Sequence, residues 1–229
     1  MSTPSERSLP GSAAEGRPGG PAAPAGFWFA PVFLQVNRFI NRPLASLLVR
    51  ALVPTAITPN QVTFAAFFIG LGGAFAFSRG TPGLVALGAA LAQLSSVVDC
   101  ADGMLARARG QMSDFGAFLD LVLDRVNEFF LIAGAVLGHF AYSGSVRMLI
   151  LGFVTLGLYF LQVAVFYLTE TYAGRGIRSR SAESRGLLIF LIFAFGLANR
   201  IDLGTYVLFS VCSATNLYQL YGFLRPARR

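Results

Sequence analysis

From residue 54 to residue 224 the chain is a succession of apolar stretches, each about as long as a bilayer is thick, with few charges inside them. A helix rises ~1.5 Å per residue, so roughly 20 apolar residues cross ~30 Å of hydrocarbon. Such stretches begin near Thr58, Pro82, Ser113, Val146, Arg185 and Asp202, the fifth being short. They predict an all-α, polytopic membrane protein with six transmembrane helices. Composition agrees: 13% of residues are charged and 55% hydrophobic, whereas a soluble domain carries about 25% charged residues.

The flanking segments read differently. Residues 1–26 are rich in Pro, Gly, Ala and Ser, cannot bury a core, and are expected to form a disordered tail. They lack a basic segment followed by an apolar run, so they do not read as a signal peptide. Residues 27–53 set Arg38, Arg42 and Arg50 among apolar groups and are broken by Pro31 and Pro43. That pattern predicts a juxtamembrane amphipathic helix at the interface, with residues 54–229 forming the six-helix membrane domain. Cys100 and Cys212 lie in apolar helices and read as packing residues without a disulfide. His139 stands near the far end of the third span and reads as interfacial, not as a ligand. Gly134-x3-Gly138 is a small-residue pair open to two uses, packing within the bundle or a contact between two copies.

The net charge is +7, and every basic residue is Arg. Six spans put both termini on one side. That side holds Arg38, Arg42, Arg50, Arg107, Arg109, the 175–185 loop and Arg225, Arg228 and Arg229, against Arg79, Arg147 and Arg200 opposite. The positive-inside rule places the termini and that loop in the cytoplasm, with the chain in the cell's inner membrane. Topology accounts for most of the charge, so no nucleic-acid partner is expected; membrane lipid is.

Four aspartates stand out against this background: Asp99, Asp102, Asp120 and Asp124. Carboxylates within a membrane span are costly, and are functional candidates by default. Asp99, Asp102 and Ala106 share one helix face; Gly116, Asp120 and Asp124 share another. Gly110 can end the first helix and Ser113 can cap the second, which brings both pairs to similar depth. Four converging carboxylates repel one another as bare anions. One or two divalent cations, Mg²⁺ or Mn²⁺, resolve this, and a pair of ions suits an in-line phosphoryl displacement. Gly103 and Gly116 leave room for a close ligand or backbone, and Arg107 offers a forked cation for a phosphate. Asp114 reads as a helix-dipole partner, and Arg125 and Glu128 as supporting charges.

Taken together, Asp99-x2-Asp102-Gly103-x2-Ala106-Arg107-x8-Gly116-x3-Asp120-x3-Asp124 resembles the full signature of the CDP-alcohol phosphotransferases. The resemblance runs from about residue 31 to 225, with ITPNQVT and the basic loop included. Its flavour is closest to the di-myo-inositol-phosphate-phosphate synthase and phosphatidylinositol-phosphate synthase-like branch. It implies metal-dependent transfer of a substituted phosphate from a CDP-alcohol, of CDP-diacylglycerol or CDP-inositol type, to an acceptor hydroxyl, releasing CMP in phospholipid or related phosphodiester synthesis. Asp99, Asp102, Asp120 and Asp124 are then the ligands of two ions. Asn60, Thr63, Gly103, Arg107, Ser113 and Gly116 match donor-site positions. Asp124 matches the general base, although a role as fourth ligand alone stays open. Arg175, Arg178 and Arg185 are candidates for a phospho-alcohol acceptor, or else a solvated loop on anionic lipid. The resemblance also implies a homodimer.

Two other classes could use acidic residues in a membrane. A prenyl-diphosphate transferase would place two Asp motifs on separate helix pairs, whereas one hairpin here carries all four. A divalent-cation transporter would explain the aspartates but not Gly103, Arg107 and Gly116 at their spacing.

Overall fold

A computed structural model describes residues 37–173 and 180–224. A π-helical turn at Asn37–Asn41 leads into α1 (Arg42–Leu52), followed by α2 (Pro59–Ser78), α3 (Pro82–Arg109), α4 (Asp114–Ser143), α5 (Val146–Ala173), α6 (Arg180–Leu197) and α7 (Ile201–Leu224). No strand occurs among the described residues. An all-helical chain is what a bilayer demands, because a helix satisfies its own backbone N–H and C=O groups where water cannot. Pro59–Ser78, Pro82–Arg109 and Val146–Val165 are long and apolar enough to cross a membrane; the apolar run Leu188–Leu197 is shorter. The tail over 1–26 and the first part of the segment 27–53 lie outside the described residues.

Local chemistry sets the helix ends. Thr58 accepts a hydrogen bond from the Gln61 amide while Gln61 Oε1 accepts from the Thr58 amide at 2.9 Å. This capping box, with Pro59 as first helical residue, starts α2 where the sequence places it. Gly110 ends α3 at φ 65°, the left-handed conformation that favours glycine. Ser113 Oγ accepts from the Gly116 amide at 3.0 Å and starts α4.

Helices α2, α3, α6, α7, α5 and α4 close a ring in that order, each packed on the next. Every member contributes to the core: Phe77 from α2, Ala89 from α3, Leu131 and Val136 from α4, Leu156 from α5, Ile192 from α6 and Leu208 from α7. These residues occupy the first half of α3 and the second half of α4, so the ring is filled at the end away from the aspartates.

The Gly134-x3-Gly138 pair is used inside the chain. A Cβ at Gly134 would strike the Ala74 carbonyl, and one at Gly138 the Phe77 carbonyl, both on α2. On α2's other side a Cβ at Gly73 would lie 3.1 Å from the Gly88 carbonyl of α3. Lipid tails are as apolar as leucine, so helices in a bilayer gain from such close backbone approach. Helix α1 buries Ala45 and Val49 against Val97, Ala101 and Leu105 of α3. Buried Asn41 ties it there, donating to Ser96 Oγ at 3.0 Å and accepting from Gln93 Nε2 at 2.7 Å.

Candidate active site

Helices α3 and α4 leave the short turn at Gly110–Ser113 and diverge. They scarcely touch; each packs instead along α2, which lies behind both. The aspartates therefore face a cleft, not an interdigitated helix pair. Carboxylate oxygens of Asp99, Asp120 and Asp124 lie within 4.8 Å of one another. Asp99 and Asp120 are half-buried and Asp124 is buried. At an effective dielectric near 20, two unit charges no more than 4.8 Å apart repel by roughly 3.5 kcal/mol or more. Three such anions form a set that a divalent cation stabilises and that lacks an apolar purpose. Hard carboxylate oxygens in this number fit Mg²⁺ or Mn²⁺.

Asp102, the fourth expected ligand, is held differently. It is buried, and its Oδ2 accepts a 2.6 Å hydrogen bond from Thr63 Oγ1 on α2. It stands outside the trio yet close enough to Asp99 and Asp120 for their charges to act on it.

The donor-site candidates meet in three groups at the cleft. Thr63 is joined to Asp102. Asn60 and Ser113 converge on Gly116, where a Cβ would lie 3.2 Å from Asn60 Oδ1 and 3.1 Å from Ser113 Oγ. Arg107 extends over Gly103, with Nη1 3.5 Å from where a Cβ would stand. That is ordinary contact, so nothing in the chain itself demands glycine at 103. Arg175 and Arg178 lie outside the described residues, as does the side chain of Arg185.

Ser95 and Asn127 join the cleft from the structure alone. A pocket of about 180 Å³ is lined by Thr63, Ser95, Asp99, Asp124 and Asn127, with Ala66, Phe67 and Leu123. Asn127 fits into the notch left by Gly70 and donates to Ser95 Oγ at 3.1 Å; Ser95 donates to the Ala66 carbonyl at 2.8 Å. Asn127 follows Asp124 by three residues, one helical turn, and that spacing was the available signal. Arg125 pairs with Glu128 at 2.9 Å and donates to Tyr159 Oη at 3.3 Å, linking α4 to α5. Arg109, counted above as a topological charge, binds the chain between α1 and α2. A larger cavity of about 410 Å³, lined by residues such as Val136, Thr155, Leu191 and Leu208, has no ionisable group and belongs to the filled end. Both cysteines are free thiols.

Comparison with known proteins agrees with this geometry. Residues 56–216 match the CDP-alcohol phosphatidyltransferase family. An archaetidylinositol phosphate synthase of Pyrococcus horikoshii is 31% identical over 191 residues, covering 83% of this chain and 92% of that protein. A bifunctional IPC transferase and DIPP synthase of Thermococcus kodakarensis is 34% identical over 148 residues, covering 65% of this chain and 32% of that longer protein. The crystal structure of Mycobacterium tuberculosis phosphatidylinositol phosphate synthase with CDP-DAG bound shares the fold, with TM-score 0.65 at 19% identity over 82% of this chain and all of that one. The same enzyme in complex with manganese and citrate gives TM-score 0.63 at 21% identity over 77% of this chain and 87% of that one. The motif, the cleft that displays it and the match across most of the helical bundle converge: this chain is a membrane enzyme of the CDP-alcohol phosphatidyltransferase family.

Proposed function

We propose that the chain moves a substituted phosphate from a lipid CDP-alcohol of the CDP-diacylglycerol type to a hydroxyl of a phosphorylated polyol such as inositol phosphate, releasing CMP. The observation that carries this is the gathering of Asp99, Asp120 and Asp124 at a cleft whose rim holds Asn60, Arg107, Ser113 and Gly116. The names of the relatives, archaetidylinositol phosphate synthase and phosphatidylinositol phosphate synthase, favour an inositol phosphate acceptor.

Asp99, Asp120 and Asp124, with Asp102 beside them, would hold two Mg²⁺ or Mn²⁺ ions, which when bound supply neutralisation of the diphosphate and polarisation of its phosphorus. Arg107 holds a phosphate oxygen through its fork of N–H donors. Asn60, Thr63, Gly103, Ser113 and Gly116 accommodate the cytidine and the bridging oxygens. Thr63 also fixes the rotamer of Asp102 through its 2.6 Å bond. The acceptor hydroxyl attacks the β-phosphorus, and Asp124, which lines the pocket beneath, takes its proton. The β-phosphorus–oxygen bond to the α-phosphate breaks, and CMP leaves with that electron pair. Arg175, Arg178 and Arg185 bind the acceptor's phosphate.

In this reading α2 to α7 are the six spans of the domain 54–229. Helix α1 lies along the inner surface of the plasma membrane. Termini and cleft face the cytoplasm, and two copies pair through their outer surfaces, since Gly134 and Gly138 are already engaged with α2.

The test is CMP release by the purified full chain with Mg²⁺ or Mn²⁺, CDP-diacylglycerol or CDP-inositol, and acceptors with and without a phosphate. CMP should appear only when donor, metal and a phosphorylated polyol are all present. Diphosphate release from an added prenyl diphosphate, without CMP from a CDP-alcohol, would instead indicate a prenyltransferase, and cation uptake without CMP a transporter.

A further inference from the structure

Arg109 sits at the last position of α3, two residues after Arg107. Its guanidinium donates to four backbone carbonyls of the segment joining α1 to α2. Nη1 binds the Ile57 carbonyl. Nη2 binds the carbonyl of Leu52, that of Val53 at 3.1 Å and that of Thr55 at 2.7 Å. Residues 53–58 are exposed. Their other hydrogen bonds are local: Thr55 to the Leu52 carbonyl, Ile57 to Thr55 Oγ1, and the capping pair Thr58–Gln61. Among the described residues Arg109 is thus the hydrogen-bonding link from another helix to this connection.

The chemistry suits arginine and no other residue. The Leu52 and Val53 carbonyls belong to the C-terminal end of α1, where the helix dipole is negative and favours a cation. Nη1 takes the Ile57 carbonyl and the two N–H groups of Nη2 are shared among the other three; two nitrogens held in one rigid plane span this turn, which a single ammonium nitrogen does not.

The consequence lies one residue beyond the clamp. Ile57 precedes Thr58, the cap of α2, and Asn60 and Thr63 stand in that helix's first turns. Gly103 and Arg107 stand in the last turns of α3. The clamp joins these two sets of donor-site residues at the rim, the Thr63–Asp102 hydrogen bond joins the same helices within the cleft, and the Gly73–Gly88 contact joins them far below. We infer that Arg109 is a positioning residue for the nucleotide: it sets the gap between the start of α2 and the end of α3, and so the placement of Asn60 against Gly116. This rests on the donor-site reading given above.

The experiment measures CMP affinity, and separately Mn²⁺ affinity without nucleotide, on the purified full chain. Variants are Arg109→Lys, Asn60→Ala, their combination, and Arg79→Lys at the opposite end of α2 as control. Arg109→Lys should raise the CMP Kd about tenfold and leave Mn²⁺ affinity within about twofold. Asn60→Ala should weaken CMP binding in the parent chain and add little in the Arg109→Lys background, because both remove the same placement. Arg109→Gln, which keeps two N–H donors on a shorter, neutral side chain, takes the same role should Arg109→Lys fail to fold. Unchanged CMP affinity in the Arg109 variant, strictly additive losses with Asn60→Ala, or an equal loss of Mn²⁺ binding would each overturn the positioning role. A parent chain that binds Mn²⁺ but no CMP would refute the donor-site reading instead.

Discussion

At one end of the bundle, around Phe77, Ala89, Gly134 and Val136, six helices meet through backbone contacts and mostly apolar side chains, with no carboxylate or guanidinium among the described core residues. At the other end the same α3 and α4, joined by the Gly110–Ser113 turn, scarcely touch, pack chiefly on α2, and turn carboxylates toward each other. The first arrangement lowers the free energy of the folded chain; the second raises it until a cation arrives. Stability and function are therefore segregated along the two helices that carry both. Substitutions at the two ends should differ in kind, and several can break or sharpen that contrast.

The largest effect is expected at the open end. Asp120→Asn or Asp99→Asn should lower CMP release by on the order of 10³-fold, since each removes charge aimed at the developing transition state. In metal-free buffer the same change should leave the melting temperature equal or higher, because one repulsive contact is gone. A large drop in melting temperature would blur the division between the ends. At the closed end, Gly138→Leu should destabilise the chain by about 3 kcal/mol or more, as a side chain is forced against the Phe77 carbonyl. Activity per folded molecule should stay at the parent level, read by thermal melting beside the CMP assay. Thr63→Val should cost about tenfold in kcat/KM by releasing Asp102, an effect the size of one lost hydrogen bond to a charged group. The smallest effect is expected for Gly103→Ala. The added methyl meets only ordinary contact with Arg107, so melting should be unchanged to within about 0.5 kcal/mol. A rise in donor KM would then show that the space belongs to the ligand.

The parts of this contrast that were legible in the sequence are the local ones. Thr58-Pro59-x-Gln61, Gly110 and Ser113 carry their capping chemistry in their own side chains or φ preference, so the ends of α2, α3 and α4 fall where the residues place them. The spacing of the aspartates likewise gives a face on each helix. It does not give the rotation of α2 between those faces. That rotation decides that Asp102 pairs with Thr63 while the other three converge, and that Asn127 and Ser95 line the pocket beneath them. Gly134 and Gly138 show the same limit: a small-residue pair suits a partner in the same chain or in another, and only the packing on α2 selects between them. Arg109 was hidden by company, as one of many arginines explained by topology; its four carbonyl partners lie more than fifty residues away in sequence.

The central claim, that the open end is shaped to hold divalent cations, is tested most directly by Mn²⁺ binding to the purified full chain, followed by electron paramagnetic resonance without nucleotide. The account predicts saturable binding that Mg²⁺ displaces. Binding should be abolished when Asp99, Asp120 and Asp124 are all changed to Asn, and only weakened by Asp102→Asn. Mn²⁺ binding that is the same in the parent chain and the triple variant would contradict it.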